Sequence, residues 1–355
     1  MFLSSVIGGR KMDAVKRVSV GLGSWMLFFL AAFQLPSVGE AAELVRVDRI
    51  WDEAHHNAFT DLARFQGHWF CVFREGTRHV SDDGALRVLR SEDGLKWESV
   101  ALIESDTADL RDAKLSVTPD GKLLLSGAGA LHDASHGSHQ SYNWFSDDGV
   151  TWSEPVAIGK ISDWLWRTSW SHAGKGYSIG YRTAAPEDRF VRLYESEDGR
   201  QYDVLVDNLM IDGYPNESSI LFSEDDTAHC LLRRDAGSKS GMWGVAKPPY
   251  TDWKWQDMGV RIGGPHMIRL PNGKLVAAVR LYDGQVRTSL CWIDPETGAL
   301  DEFLALPSGG DTSYAGLVYH DGLLWVSYYS QHESLDAEVE TDFTTAIYVA
   351  QVKLD

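Results

Sequence analysis

Arginine recurs at comparable places in this chain. Arg74, Arg182, Arg233 or Arg234, and Arg280 each close an apolar run that reads as the second strand of a repeated unit. Guanidinium groups gathered at one end of several sheets suit a planar anion such as a carboxylate, which they grip with paired N–H bonds. The rest of the protein is acidic, with 33 Lys and Arg against 51 Asp and Glu and a net charge of −18. Such a charge repels phosphate backbones and anionic membrane surfaces, so a nucleic-acid partner is excluded and clustered arginine has a reason to exist. Residues that open the units supply further groups: Arg111 with Asp112, Trp164, Trp166, Arg167, Glu217, His266 and Tyr314. An inner-strand carboxylate such as Glu217 is costly to bury without a partner. The tryptophans suit either sugar stacking or core packing. His55 and His56 are adjacent, so one of them faces inward; with Gln331, His332 and Glu333 they enrich the same end in imidazole.

The elements that carry these residues follow from two interleaved repeats. Ser91-Glu-Asp-Gly-Leu-Lys-Trp97 recurs as Ser146-Asp-Asp-Gly-Val-Thr-Trp152 and as Ser196-Glu-Asp-Gly-Arg-Gln-Tyr202. Here the Asp accepts turn amides, the Gly takes positive φ and the aromatic packs beneath, so these acids read as structural turns. A second series falls between them at Gln66-Gly67, Asp120-Gly121, Gly174-Lys175, Asp225-Asp226, Asn272-Gly273 and Asp321-Gly322, most with hairpin chemistry. Six turns predict six units of four short strands, and no stretch after residue 42 has a helical period. The expected fold is therefore all-β, a six-bladed β-propeller of four-stranded antiparallel blades. The last unit shows three strands, and the strand-like Leu44–Ile50 is expected to complete it and close the ring.

Two domains are expected. Arg10, Lys11, Lys16 and Arg17 precede the apolar run Val18–Leu35 and the small residues near Gly39–Ala42, the layout of a secretory signal over residues 1–42. A retained membrane anchor is the competing reading of that run. Residues 43–355 would form the propeller, secreted or periplasmic, a monomer without stable membrane insertion after cleavage. Cys71, Cys230 and Cys291 lie far apart in apolar runs, without ligand spacing, and read as buried thiols.

The Ser-acidic-Asp-Gly-x-x-aromatic elements resemble the Asp-boxes of the sialidase (neuraminidase) superfamily, also called BNR repeats. The resemblance covers the chain from about residue 50 onward. It implies a funnel-mouth site for terminal acidic sugars. Pro215-Asn216-Glu217 is similar to the family's Asn-Glu element, whose Glu polarises a tyrosine. Ser313-Tyr314-Ala-Gly-Leu-Val resembles the strand of the nucleophilic tyrosine. Arg233 or Arg234, and Arg287 with Arg280 as its competitor, match places of carboxylate-binding arginines. The family's Arg-Ile-Pro arginine is missing: the corresponding strand reads His55-His56-Asn57-Ala58-Phe59, with Arg74 as a substitute. The acid/base would lie on the loop after Arg74, where His79, Asp82 and Asp83 compete and Asp82 fits best by distance to the next strand.

These residues imply an exo-glycosidase that retains configuration. A sialic acid carries its carboxylate on the anomeric carbon and repels an anionic nucleophile; a neutral Tyr314 with Glu217 as base avoids that cost, and Asp82 or His79 would protonate the leaving oxygen. Arg74, Arg111, Arg233, Arg234, Arg280, Arg287, His55, His56 and Trp166 are the expected substrate contacts. No metal or cofactor is required. Two other readings stand beside this one. In a uronate polysaccharide lyase, His55 or His56 and a Tyr would move protons while arginine neutralises the carboxylate; a non-catalytic glycan-binding propeller would keep the cup and lose the chemistry.

Overall fold

The computed structural model describes residues 42–183, 189–336 and 342–354. The expected leader, residues 1–42, lies outside them except for its last residue. Among the described residues no helix is long and apolar enough to cross a membrane.

Six antiparallel sheets form a six-bladed β-propeller. The first blade runs His56–Phe65, His68–Gly76, Ala85–Ser91 and Glu98–Ile103 from the axis outward. Its alternating apolar residues bury both faces of the blade, because each sheet packs between two neighbours. The closing strand is as expected: Ala42–Trp51 pairs with Ala346–Leu354 to complete the sixth blade, so the two ends of the propeller domain share one sheet. The third blade differs. Its inner strand is split into Asp163–Leu165 and Ser169–Trp170; Trp166 N still donates to Ile179 O at 3.0 Å, and the break falls at residues 167–168.

The Ser-Asp-Gly turns follow the expected mechanics. Asp93 Oδ1 accepts the amides of Leu95 and Lys96 at 2.8 and 2.9 Å, Ser91 Oγ accepts Gly94 N, and Trp97 Nε1 donates to Gly94 O. Asp148 and Ser146 repeat the pattern, and so do Asp198 and Ser196. Asp93 and Asp148 are held below the usual carboxylate range by those amides, so they are acceptors. The three cysteines are free and buried.

One device recurs at the axis. The pairing of the first two strands is interrupted between Ala58 and Asp61, Arg111 and Lys114, Pro215 and Ser218, Gly263 and His266, and Ser313 and Gly316. Each interruption is a bulge in which two inner residues oppose one. Phe59, Asp112, Gly264 and Tyr314 take φ of 62°, 56°, 53° and 52° there. A left-handed backbone at three side-chain-bearing residues is costly and must be held by its surroundings. Just below, Asp61 takes Arg167 bidentately at 2.5 and 3.0 Å and accepts the amides of Leu62 and Leu115. Lys114 Nζ donates to Thr60 O and Ala113 O, His266 Nδ1 meets Ala315 O, and Thr60 Oγ1 donates to Tyr314 O. This buried polar layer therefore bonds the backbone of the bulges themselves.

Candidate active site

The fourth and sixth blades bring a carboxylate and a phenol into direct contact. The bulge at Asn216-Glu217 aims Glu217 across the axis, and the one at Tyr314-Ala315 aims the phenol back. Tyr314 Oη donates to Glu217 Oε1 at 2.5 Å. Arg233 Nη1 bridges the pair, 2.6 Å from Glu217 Oε1 and 3.1 Å from Tyr314 Oη. Gly264 N donates to the other carboxylate oxygen at 2.8 Å. A Cβ at Gly264 would lie 2.9 Å from the Tyr314 ring, so the close approach requires glycine.

The electrostatics put the resting negative charge on Glu217. Burial would raise its carboxyl, but the Arg233 charge and the bonds from Arg233, Tyr314 and Gly264 outweigh that and hold it low. Tyr314 is pushed far above the ordinary phenol range, first by burial and then by the Glu217 charge, against the pull of Arg233 and Arg280. A phenolate would thus form only as its proton moves onto Glu217. Around the phenol, Arg280 Cζ lies 5.3 Å from the ring centroid, and Phe59, Trp166 and Tyr329 stand at 5.1, 5.9 and 6.0 Å.

A second group adjoins the first. Asp311 Oδ2 lies 2.7 Å from His79 Nδ1 and 3.2 Å from His56 Nε2; its Oδ1 accepts Tyr329 Oη at 2.6 Å and Arg280 Nη2 at 3.3 Å. Despite burial, the bonds from the two imidazoles and Tyr329 hold Asp311 well below the usual range. Burial pushes His56 down against the opposing pull of Asp311. Within these groups, the ligand atoms of His56, His79 and Asp311 lie within 4.8 Å of one another, close enough to share a cation.

The remaining expected residues separate by position. Of each arginine pair one member turns to the cup. Arg233 does, whereas Arg234 binds Ser240 O, Ser240 Oγ and Asp257. Arg280 does, whereas Arg287 pairs outward with Glu302 and Asp283. Arg74 leaves the substrate-contact set: it is fully buried, paired with Asp109 at 2.8 Å, and bonded to Arg78 O and Ser81 O. The loop after its strand folds back over the guanidinium, which a reading of strand ends alone could not foresee. His55 is exposed and turned to Asp342 O, leaving His56 as the inward member. Arg111 packs between Phe59 and Trp164 and donates to His79 O at 3.0 Å. Trp166 is buried at the floor. Asp82 is exposed, and His132 bonds its carbonyl oxygen.

Sequence reasoning missed Asp311 and Tyr329, and left Asp112 without a role. Asp311 sits in a loop before its strand, where no repeat marks it. Asp112 occupies the same bulge position as Tyr314; its carboxyl is raised by burial, against the charges of Lys114 and Arg111. The bulges would have been the signal, but the inner strands are buried at consecutive positions, so the shift in alternation that a bulge causes is not visible in their sequence.

The arrangement defines a propeller with an axial cup of phenol, carboxylate, guanidinium and imidazole. No family model matches the sequence, and no curated protein does. Solved structures share the fold. A protein of unknown function from Dyadobacter fermentans has TM-score 0.74 and 18% identity over 89% of this chain and 100% of its own. The Penicillium chrysogenum alpha-L-arabinanase complexed with arabinobiose has TM-score 0.67 and 15% identity, over 87% and 98%. Trypanosoma rangeli sialidase has TM-score 0.64 and 12% identity, over 87% of this chain and 59% of that one. At such identities the likeness is one of fold.

Proposed function

We propose that this protein is an exported exo-glycosidase that cleaves a terminal sugar with retention of configuration, using Tyr314 as nucleophile and Glu217 as its base. The observation that carries this reading is the 2.5 Å contact between phenol and carboxylate, bridged by Arg233. In the first step Tyr314 Oη attacks the anomeric carbon as its proton passes to Glu217. The glycosidic C–O bond breaks, and the leaving oxygen takes both electrons and a proton from an acid across the cup. In the second step water displaces the tyrosine. Arg233 stabilises charge developing on the phenol oxygen, and Arg233 with Arg280 would hold a substrate carboxylate.

A second reading concerns the sugar. Arg233 is also bonded to Asp235, Arg280 to Asp311, and Phe59 stands in the blade that lacks the third arginine. A cup whose arginines are matched by its own carboxylates favours a neutral sugar, as does the fold likeness to an alpha-L-arabinanase. With a neutral anomeric centre, Glu217 itself could attack.

A panel of aryl sialosides, aryl arabinosides and uronate polysaccharides separates the possibilities. Release of aglycone from sialosides supports the first reading, and release from arabinosides alone supports the second. New ultraviolet absorbance from an unsaturated uronate, with no hydrolysis, means a lyase. Binding without turnover of any of them means a lectin-like propeller.

A further inference from the structure

At the junction of the first and sixth blades, two imidazoles converge on one carboxylate oxygen. We propose that His56, His79 and Asp311 bind one divalent transition-metal ion, zinc by the chemistry of the donors, and that this ion staples the two blades together. The inference is independent of the glycosidase reading. The ring closes through the ladder between Ala42–Trp51 and Ala346–Leu354. The cluster crosses the same seam. His56 opens the inner strand of the first blade, His79 lies on the loop after that blade's second strand, and Asp311 immediately precedes the inner strand of the sixth. Asp311 is 255 residues from His56 and 232 from His79, yet its Oδ2 lies 3.2 Å from His56 Nε2 and 2.7 Å from His79 Nδ1. The two imidazoles stand edge to face, with ring centroids 5.2 Å apart.

The donor set and its spacing suit zinc. Imidazole nitrogen and carboxylate oxygen bind it at about 2.0–2.2 Å, which on a tetrahedron puts neighbouring donors about 3.4 Å apart. Calcium and magnesium prefer sites made wholly of oxygen. Here the three donor atoms lie within 4.8 Å of one another. His56 already stands near the required separation from Oδ2, and His79, half exposed on its loop, has only to draw back slightly.

Each donor is held from behind, as metal ligands are. Asp311 Oδ1 accepts Tyr329 Oη at 2.6 Å and Arg280 Nη2 at 3.3 Å, and the Asp311 amide donates to Gln331 Oε1 at 3.2 Å. Among the described residues that leaves Oδ2 to the two imidazoles alone. The loop of His79 is pinned by Arg74, which donates to Arg78 O and Ser81 O, and by Arg111, which donates to His79 O. His56 is buried, and the next residue anchors its strand, Asn57 N donating to Thr345 Oγ1 at 2.9 Å. The three donors line a cleft of about 250 Å³ with Thr77, Gln331 and Thr345. Three protein ligands beside such a cleft leave the fourth position to water.

The test dialyses the whole protein against a chelator and then titrates it with zinc chloride, reading bound metal by equilibrium dialysis and stability by thermal melting. One zinc ion per chain is expected, with a melting temperature that rises with zinc concentration and no competition from an equal concentration of calcium or magnesium. His79→Gln keeps a side-chain amide that can donate to Asp311 but loses the imidazole, and should weaken zinc binding by about 100-fold or more, while Tyr329→Phe, which removes an outer bond to Asp311, should cost about 10- to 100-fold. His55→Ala, in the same cleft but turned to Asp342 O, should bind as the parent does. No bound zinc overturns the proposal, as does undiminished binding by His79→Gln, equal losses in His55→Ala and His79→Gln, or calcium displacing the zinc. Should metal-free His79→Gln melt below the metal-free parent, the visible absorption of Co²⁺ bound to the parent decides: bands of a four-coordinate site with nitrogen ligands support the proposal, and their absence overturns it.

Discussion

Phe59 and Tyr314 occupy equivalent bulges in neighbouring blades and meet edge to face, with ring centroids 5.1 Å apart. The Phe59 ring is thus a wall for the proposed nucleophile. Phe59→Ala should cost about 3–5 kcal/mol of stability by opening a cavity in a position only 3% exposed. It should also lower turnover by loosening Tyr314. A melt and activity indistinguishable from the parent's would show that the wall positions nothing.

The two arginine candidates of the fifth blade should behave oppositely. Arg280→Ala removes the guanidinium over the Tyr314 ring and leaves Asp311 without its cationic partner, so kcat/KM should fall by about 10²-fold or more. Arg287→Ala removes a partner of Glu302 and Asp283 at the outer face and should leave kcat/KM within about twofold of the parent, the effect of a surface ion pair. Steady-state kinetics of the two variants decide the matter, and equal losses would contradict the assignment.

Glycine tolerance should follow the space around each turn. Gly121 has φ +82° with nothing near a would-be Cβ, so Gly121→Ala pays only the backbone cost of about 1–2 kcal/mol. In Gly149, φ is +75° and a Cβ would fall 2.3 Å from the Phe70 ring. Gly149→Ala should therefore lose at least 1–3 kcal/mol more, roughly the overpacking cost. Urea unfolding of both measures the gap, and an equal loss would mean that the turn shifts freely away from Phe70.

Acid should destabilise the protein through His266. Burial first, and then the charge of Arg167, push its imidazole down to about 3 against an ordinary 6.5. Between those values the unfolded chain binds a proton that the folded one refuses, so stability rises with pH across the window and is lost on acidification. The slope approaches about 1.4 kcal/mol per pH unit for one such group. His139, pushed down to about 4 mainly by burial, acts with the same sign. Unfolding free energies between pH 7 and 4 should show this fall, and His266→Gln should flatten it by up to that slope. A stability that grows on acidification would contradict the buried neutral assignment.

The legibility of the molecule in its sequence divides along one physical line. Turns such as Ser91 to Trp97 are local, since Asp93 bonds amides two and three residues away, so blade number and strand order could be read directly. Alternation separated Arg233 from Arg234 in kind but could not say which faced the axis, because nothing local marks Arg233 as the residue opposite the bulge at Asn216-Glu217 on the neighbouring strand. Arg74 ends a strand as expected, but the loop after it returns to cover it, a contact no strand pattern encodes. Asp311 gains its role only through His79, Tyr329 and Arg280, partners far away in the chain or on another strand.

The most direct test of the central claim is peptide mass spectrometry after incubation with a fluorinated glycosyl fluoride of the accepted sugar, whose covalent adduct turns over slowly. The account predicts one glycosyl adduct, on the Tyr314 peptide, absent in Tyr314→Phe and formed far more slowly in Glu217→Gln. An adduct on Glu217, or undiminished turnover by Tyr314→Phe, would contradict it.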